Sequence, residues 1–283
     1  RSGHVTGVQT CALPICMICI SPLKDGVIAD FEATEMLLNY FFKECNLRGM
    51  FRKNMILICH PTNITTVEKN AIRDCAYRAG AKKVYLEEEP KVAAVGAGLD
   101  IGKACGSMVL DIGGGTSDIA VLALGDIVCS TSLKVAGNRF TQLIIDYLRK
   151  ERKLAIGEQM AEEVKIRIGS ALPMDEPLTM EVSGLAMESG LPSSIEVNSN
   201  EIELALRASV DEIVRAVRTV MEITPPELAA DIVQRGLMMT GGGALLKNFD
   251  ARLRNELQVP VHVAENALHC VVDGCSIMLQ QLR

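Results

Sequence analysis

The sequence lacks several features that would point to common functional classes. None of its apolar runs approaches the ~18 residues of a membrane-spanning helix, which argues against a transmembrane segment. Its charges are interspersed, with a formal net charge of −6, so it has no basic stretch typical of nucleic-acid binding. Its four histidines are scattered, and Cys16-x-x-Cys19 has no second pair, so no metal site of cysteine and histidine is indicated.

What the sequence does contain is enough apolar material for two domains. It has 283 residues, of which 48% are hydrophobic. The 10 cysteines are spread along the chain, several of them inside apolar runs that predict strands or helices. This usage is typical of small buried hydrophobic residues in a reducing cytoplasm.

The most informative stretch is a glycine run between two apolar segments, 107–110 and 119–124. The pattern predicts two buried strands joined by a hairpin whose turn holds the three glycines 113–115. Glycine permits a positive φ and lets a ligand approach the backbone N–H groups, which together form an anion-binding concavity. Asp111 could hold a hydrated Mg²⁺ beside a phosphate. A glycine hairpin without a ligand explains this one motif about equally well.

A second glycine run follows another short apolar segment, 236–239. Apolar residues recur at helical spacing after it, so the glycines 241–243 are predicted to open a helix whose free N–H groups suit an anion. No Gly-Lys-Ser/Thr follows, which excludes a Walker A loop, and the Gly-x-Gly-x-x-Gly spacing of a dinucleotide fingerprint is absent. Two such strand exits, far apart in sequence, suggest one nucleotide held between two lobes.

These motifs closely resemble the actin superfamily and, more narrowly, the bacterial rod-shape-determining actins of the MreB/Mbl family, within which the chain looks Mbl-like. The resemblance runs from about Ser21 to the C-terminus. Besides the two glycine runs, it rests on the sequences at 22–31, 85–90, 223–231 and 260–266.

The resemblance implies an α/β, actin-like ATPase fold, in which two RNase H-like lobes surround a nucleotide cleft. The opening strands and the first phosphate hairpin of the family are expected to be missing, which leaves the first lobe incomplete. The expected domains are a foreign leader at 1–16, a membrane-facing first lobe at 17–105 completed by 270–283, the second lobe with its phosphate hairpin at 106–156, a small inserted subdomain at 157–198, and the second lobe with its adenosine motif at 199–269.

ATP and Mg²⁺ are the cofactors that the resemblance implies. Asp111 would position Mg²⁺ through water. Three consecutive glutamates are ordinarily a solvated charge run, but the family places its water-positioning glutamate immediately before a proline, which selects Glu89 as the catalytic residue beside Thr116. The residues expected to hold the phosphates are Gly114, Gly115 and Thr116, together with Gly242, Gly243, Ala244 and Leu245.

A helix predicted at 157–169 carries the segment Glu162, Glu163, Val164 and Lys165. By resemblance this segment contacts the adenosine, its carboxylates accepting from the ribose hydroxyls and the lysine stem covering the ring. The alternative is an ordinary solvated helix face with i,i+3 charge pairs. A longer helix is predicted to begin after Ser199 or Asn200, either of which could cap it.

Met50 and Phe51 lie between cations in a predicted loop, a pattern that suits a membrane interface. The resemblance assigns them to membrane insertion; the alternative is that they fold back into the core. Three residues depart from the family pattern. Asn138 and Thr141 are expected to be neutral surface changes, whereas the carboxylate of Asp273 is expected to disturb helix packing and polymer contacts.

The function that the resemblance implies is that of a cytoplasmic, ATP-binding, filament-forming actin. It would lie on the inner face of the cell membrane, associate with itself and with cell-wall synthesis and rod-complex proteins, and set rod shape without binding nucleic acid. The alternatives are a structural filament subunit that does not hydrolyse ATP, an inactive fragment, or a sugar kinase or chaperone of the same superfamily. The sequence shows neither the added catalytic aspartate of those kinases nor room for the peptide-binding domain of those chaperones.

Overall fold

The computed structural model describes residues 21–24, 26–45 and 55–282. The predicted leader at 1–16 and the loop with Met50 and Phe51 lie outside these ranges. The strands are β1 Leu23–Lys24, β2 Val27–Ile28, β3 Met55–His60, β4 Lys83–Glu88, β5 Ser107–Ile112, β6 Ser117–Ala123, β7 Asp126–Leu133, β8 Leu154–Ala155, β9 Thr179–Ala186, β10 Pro192–Asn198, β11 Leu237–Thr240 and β12 Val261–Val263. The helices are α1 Phe31–Glu44, α2 Thr66–Arg78, α3 Glu89–Gly96, α4 Gly137–Glu151, α5 Glu158–Ile168, α6 Ser199–Ile223, α7 Pro226–Arg235, α8 Phe249–Leu257 and α9 Cys270–Gln281.

The largest sheet has five strands in the order β12-β11-β5-β6-β7. The strands β12, β11 and β5 run parallel, whereas β5, β6 and β7 form an antiparallel meander. Every residue of β5 and β6 is buried, which explains why the sequence shows continuous apolar runs there rather than alternation. The predicted glycine hairpin between β5 and β6 is confirmed.

The main core lies between this sheet and the helices α4 and α6. Fully buried side chains on α4 include Phe140, Ile144 and Leu148, which recur at helical spacing. The 25-residue helix α6 contributes a matching apolar stripe that includes Ile202 and Leu206. A smaller three-stranded sheet, β10-β9-β8, stands beside this core.

The two-stranded parallel sheet of β3 and β4 belongs to a second region with its own small cluster of apolar residues. Asp30 caps α1 by accepting a hydrogen bond from the N–H of Ala33, and Thr65 forms a capping box with Glu68 at the start of α2. Both helix starts agree with the sequence pattern. Within the described ranges, no helix combines the length and apolar character that crossing a bilayer requires.

Two expectations about helix starts were wrong. The residue that caps α6 is Asn198, whose side chain accepts from the N–H groups of Asn200 and Glu201; the hydroxyl of Ser199 instead accepts from Leu178 N–H. The second glycine run does not open an α-helix. Only a 3₁₀ turn, Gly242–Leu245, forms there; Leu246 leaves the helical conformation with a ψ of 127°, and α8 begins at Phe249 after Asn248, whose φ is 60°.

Helix α9 crosses α3 at very short distance through two glycines. A Cβ on Gly96 would lie 1.8 Å from the carbonyl oxygen of Cys270, and one on Gly274 would lie 2.0 Å from that of Val92. The two backbones are therefore in direct contact, which no larger residue allows. Asp273 is exposed to solvent, so its carboxylate does not interfere with this crossing.

Candidate functional site

Three carboxylates converge where β4, β5 and β6 meet. Asp111 is the second-last residue of β5, shortly before the glycines. It lies directly opposite Asp118 of β6 in the antiparallel register. Glu89 is the first residue of α3, directly after β4. Asp111 and Asp118 are almost fully buried, with 4% and 1% of their surface exposed.

Two threonines from other strand ends hold the aspartates in place. The hydroxyl of Thr240, at the end of β11, donates to Asp111 Oδ1 over 2.7 Å. The backbone N–H and the hydroxyl of Thr62, just after β3, donate to Asp118 Oδ1 over 3.1 and 3.2 Å. The cluster thus joins the five-stranded sheet to the β3–β4 region.

No positively charged side chain of the described residues is among the groups that shift the pKa values of these three carboxylates. Burial, reinforced by the charges of Asp118 and Asp111, raises the pKa of Glu89 to about 8. Burial also raises the pKa of Asp111 to about 6, although the hydrogen bond from Thr240 opposes this. The pKa of Asp118 is raised by burial too, against the hydrogen bonds from Thr62. A nearby cation would favour the ionised form of all three groups.

The donor set fits a hydrated divalent cation. Asp118 Oδ2 is buried and has no hydrogen-bond partner among the described residues, an arrangement that costs free energy unless something else occupies it. The described residues contain no group of three acidic, histidine or cysteine side chains positioned to coordinate a metal directly. Mg²⁺ commonly keeps several of its waters and is held by one or two carboxylates, which matches this cluster.

The glycine hairpin presents its amides beside the carboxylates. Gly113 N–H donates to Thr116 O over 2.9 Å and closes the turn, while the carbonyls of Gly113 and Gly114 accept from the first residues of α4, Gly137 and Asn138. The N–H groups of Gly114 and Gly115 take part in none of the backbone hydrogen bonds of the described residues outside regular elements. Binding of an anion by these amides stays a prediction from the sequence.

Helix α5 is tied to the same corner of the molecule. Lys165 Nζ donates to Gly137 O over 3.0 Å and lies 2.7 Å from Glu162 Oε2. Glu162 also accepts from the hydroxyl of Thr141, which is buried, so the expectation that Thr141 is a neutral surface change was wrong. Asn138, the other departure, is exposed.

The structure separates the four predicted adenosine residues into two groups. Glu162 and Lys165 lie beside the start of α4, next to the hairpin. The side chain of Val164 is fully buried in the core, and Glu163 pairs with Arg167 on the exposed surface of α5. Of the second glycine loop, Gly242 and Leu245 are exposed, whereas Ala244 is buried.

Sequence reasoning missed Asp118, Thr62, Thr240 and Thr141 as parts of this corner. The sequence did carry a signal for Asp118 and Thr240, since each lies within three residues of a glycine run, near a strand end. Thr62 and Thr141 had none, because their contacts depend on how distant elements pack. The predictions for Met50 and Phe51 lie outside the described residues.

Comparison with solved structures identifies the fold. MreB5 of Spiroplasma citri, in structures bound to ADP and to AMPPNP, superposes with a TM-score of 0.88 at 40% sequence identity, covering 93% of this chain and 79% of that one. The chain therefore has the actin-like ATPase fold that the sequence pattern implied.

Comparison of sequences defines the family. The pattern of the MreB/Mbl protein family matches residues 13–283. The cell shape-determining protein Mbl of Bacillus subtilis is 53% identical over 266 residues, which cover 94% of this chain and 80% of that protein. The cell shape-determining protein MreB of Escherichia coli is 45% identical over 281 residues, covering 99% of this chain and 81% of that protein. The chain belongs to the MreB/Mbl family.

Proposed function

We propose that the chain is an ATP-binding subunit of a cytoskeletal filament that sets rod cell shape. The observation that carries this proposal is the convergence of Glu89, Asp111 and Asp118 beside the open amides of the glycine hairpin. A cluster that is acidic and buried, next to donors for an anion, suits a phosphate chain accompanied by a cation. The ADP- and AMPPNP-bound structures of S. citri MreB5 support the same assignment.

Each group in the cluster has a separate proposed role. The N–H groups of Gly114 and Gly115 donate to phosphate oxygens, and Lys165 and Glu162 face the nucleoside side of the hairpin. Asp111 and Asp118 would hold hydrated Mg²⁺, which supplies positive charge to the phosphates when bound. Thr116 fixes the turn through its backbone carbonyl, which accepts from Gly113.

Glu89 is the proposed acceptor for a proton of the attacking water. A general base must be ionised, yet with a pKa of about 8 Glu89 keeps its proton at neutral pH in the free protein. Positive charge in the site favours loss of that proton, so the base becomes competent only when the site is loaded.

Nucleotide binding is tested by thermal unfolding of the whole chain in buffer, in Mg-ATP, and in ATP with a chelator. At a ligand concentration of 100 times Kd, we expect Mg-ATP to raise Tm by about 5 °C. Asp111→Asn should lose most of this rise, whereas Asp146→Asn, which changes an exposed carboxylate of α4, should keep it. An equal ATP response in wild type and Asp111→Asn would contradict the assignment.

Hydrolysis is tested separately, since a structural filament could bind ATP without cleaving it. Glu89→Gln should lower the rate of phosphate release by about 100-fold while retaining the ATP-induced rise in Tm. The neighbouring Glu88→Gln is the matched control and should keep the wild-type rate. An unchanged rate in Glu89→Gln would remove Glu89 as the proton acceptor, whereas no phosphate release from the wild type would leave the non-hydrolysing filament as the function.

We further propose that the filament lies on the inner face of the membrane, where it organises cell-wall synthesis and rod-complex proteins. Met50 and Phe51 are the proposed membrane contacts. Sedimentation with vesicles of anionic phospholipid should recover the wild type, and the double change Met50→Ser and Phe51→Ser should abolish recovery. Val67→Ser, which removes an exposed apolar side chain of α2, is the control. Recovery of the double variant at the wild-type level would contradict the assignment.

A further inference from the structure

Two cysteines from distant parts of the chain bring their sulfur atoms together. Cys59 lies on β3 and Cys275 on α9, 216 residues apart, and their Sγ atoms are 3.2 Å from each other. Both are free thiols and both are half-buried, so a small reagent can reach them. Cys270, on the same helix, is buried, and its thiol is directed to the carbonyl of Asn266 instead.

The packing of the backbone fixes this proximity. The crossing of α3 and α9 through Gly96 and Gly274 places backbone against backbone, and Cys275 is the residue immediately after that contact. Cys59 is the fifth of six residues in β3, which is held by its full-length parallel pairing with β4. Two thiols on well-packed elements at this separation need little movement to bond.

We propose that Cys59 and Cys275 form a redox-sensitive thiol pair that is converted to an intramolecular disulfide by peroxides. Although the charges of Glu89 and Asp111 act on the Cys59 thiol, this modification does not depend on the function proposed above. The bond would tie α9 to β3 and so fix two elements that are otherwise joined only by packing.

The chemistry follows from the state of the two thiols. The hydrogen bond from Cys59 lowers the pKa of Cys275, whereas the same contact and burial raise the pKa of Cys59. The Cys275 thiolate therefore attacks the peroxide, forming an S–O bond as the O–O bond breaks and the leaving oxygen takes up a proton. The Cys59 sulfur then attacks Cys275 sulfur; the S–S bond forms, the S–O bond breaks, and water leaves with the Cys59 proton. The peroxide gains two electrons and the thiol pair loses two.

Peptide mapping of the whole protein after hydrogen peroxide treatment tests the proposal directly. After alkylation of the remaining thiols, trypsin gives one peptide with Cys59 alone and another with both Cys270 and Cys275. Cleavage before Asp273 separates the latter two cysteines. We expect a linked pair of peptides containing Cys59 and Cys275, lighter than the two thiol forms by two hydrogen atoms and absent after treatment with dithiothreitol.

Variants and melting curves provide the controls. Cys275→Ser should lose the linked peptides, whereas Cys129→Ser, which removes a half-buried thiol of β7, should retain them. Because a disulfide that closes a long loop constrains the unfolded chain, oxidised wild type should melt on the order of 5 °C above the reduced form. That rise should be absent from Cys275→Ser.

Two outcomes would overturn the proposal. One is oxidation of the wild type at other cysteines, such as the exposed Cys45, with no linked peptides of Cys59 and Cys275. The other is linked peptides that appear equally between many cysteine pairs, as in protein oxidised under denaturing conditions. Both outcomes are measured on the wild-type protein, so the result does not depend on whether a cysteine variant folds.

Discussion

The two glycine runs look alike in sequence but serve different physical purposes. In the loop after β11, a Cβ on Gly241 would lie 2.3 Å from the carbonyl oxygen of Ile112, and one on Gly243 would lie 2.2 Å from Ile112 Cγ2. In the β5–β6 hairpin, the nearest atoms to a Cβ on Gly113 or Gly114 are 3.5 and 3.4 Å away. Packing requires glycine in the loop, whereas in the hairpin a Cβ on Gly113 or Gly114 would make only ordinary contacts.

The backbone conformations show the same difference. Gly241 has a φ of +80°, where other residues are strained, while the hairpin glycines are not among the positive-φ residues. The hairpin therefore does not use the positive φ that glycine permits. The glycines of the hairpin keep the approach to the amides clear, and the glycines of the loop let β11 and the 3₁₀ turn lie against β5.

The largest effect is expected from Gly241→Ala. The added methyl group meets the Ile112 carbonyl and the backbone is held at positive φ, so the free energy of unfolding should fall by about 3 kcal/mol or more. Unfolding in urea, followed by circular dichroism, measures this. Gly242→Ala is the control in the same loop, because its nearest atom is the flexible end of Leu268, and it should cost less than about 1 kcal/mol. Equal losses in the two variants would remove the packing explanation.

A second prediction concerns Glu89, one of the three carboxylates that converge beside the hairpin. Because the pKa of Glu89 is about 8 in the folded protein, the unfolded chain releases this proton first as pH rises. Wild-type stability should therefore decline between pH 4.5 and 8 from this group, and Glu89→Gln should be free of that decline. Above pH 8 the variant should therefore be more stable than the wild type, and below pH 4.5 the two should match.

Urea unfolding of both proteins across this range measures the difference. Glu88→Gln, one residue earlier, is the control for a change of charge at the start of α3. A difference between wild type and Glu89→Gln that stays constant with pH would show that the carboxyl is not buried in an acidic site.

The third prediction addresses the hydrogen bond that joins the two strand exits. Thr240→Val removes the hydroxyl that donates to Asp111, so the buried carboxylate loses a partner and stability should fall by about 1–2 kcal/mol. The pKa of Asp111, already about 6, should rise further. Nuclear magnetic resonance titration of the aspartate carboxyl carbons reports the pKa, and Thr240→Ser should restore both values. A wild-type pKa in Thr240→Val would contradict the role of this bond.

These comparisons show which features can be predicted from sequence. The hairpin depends on neighbouring residues, and the local pattern predicted it. Asp118 and Thr240 belong to the site because of register: the hairpin sets Asp118 opposite Asp111, and the parallel pairing of β11 with β5 sets Thr240 beside it. Thr62 reaches Asp118 only through the packing of β3, which no local pattern encodes. The 3₁₀ turn was missed because both Leu246 and Asn248 leave the helical conformation before α8 begins, which the apolar spacing did not indicate.

The smallest effect on stability, and the sharpest test of the comparison, is expected from Gly114→Ala. The new methyl group would lie 3.4 Å from Asn138 Oδ1, an ordinary contact with an exposed side chain, so the free energy of unfolding should change by less than about 1 kcal/mol. The same methyl group stands where the phosphates are proposed to approach the N–H groups. The Mg-ATP-induced rise in Tm should therefore shrink by more than half, although the protein without ligand melts almost as before. Gly125→Ala, at a turn between β6 and β7 with a φ of +84°, is the opposite control: it should lower stability and leave the ATP-induced rise intact. If Gly114→Ala behaved like Gly125→Ala, the hairpin glycines would be there for the fold, as those of the loop are.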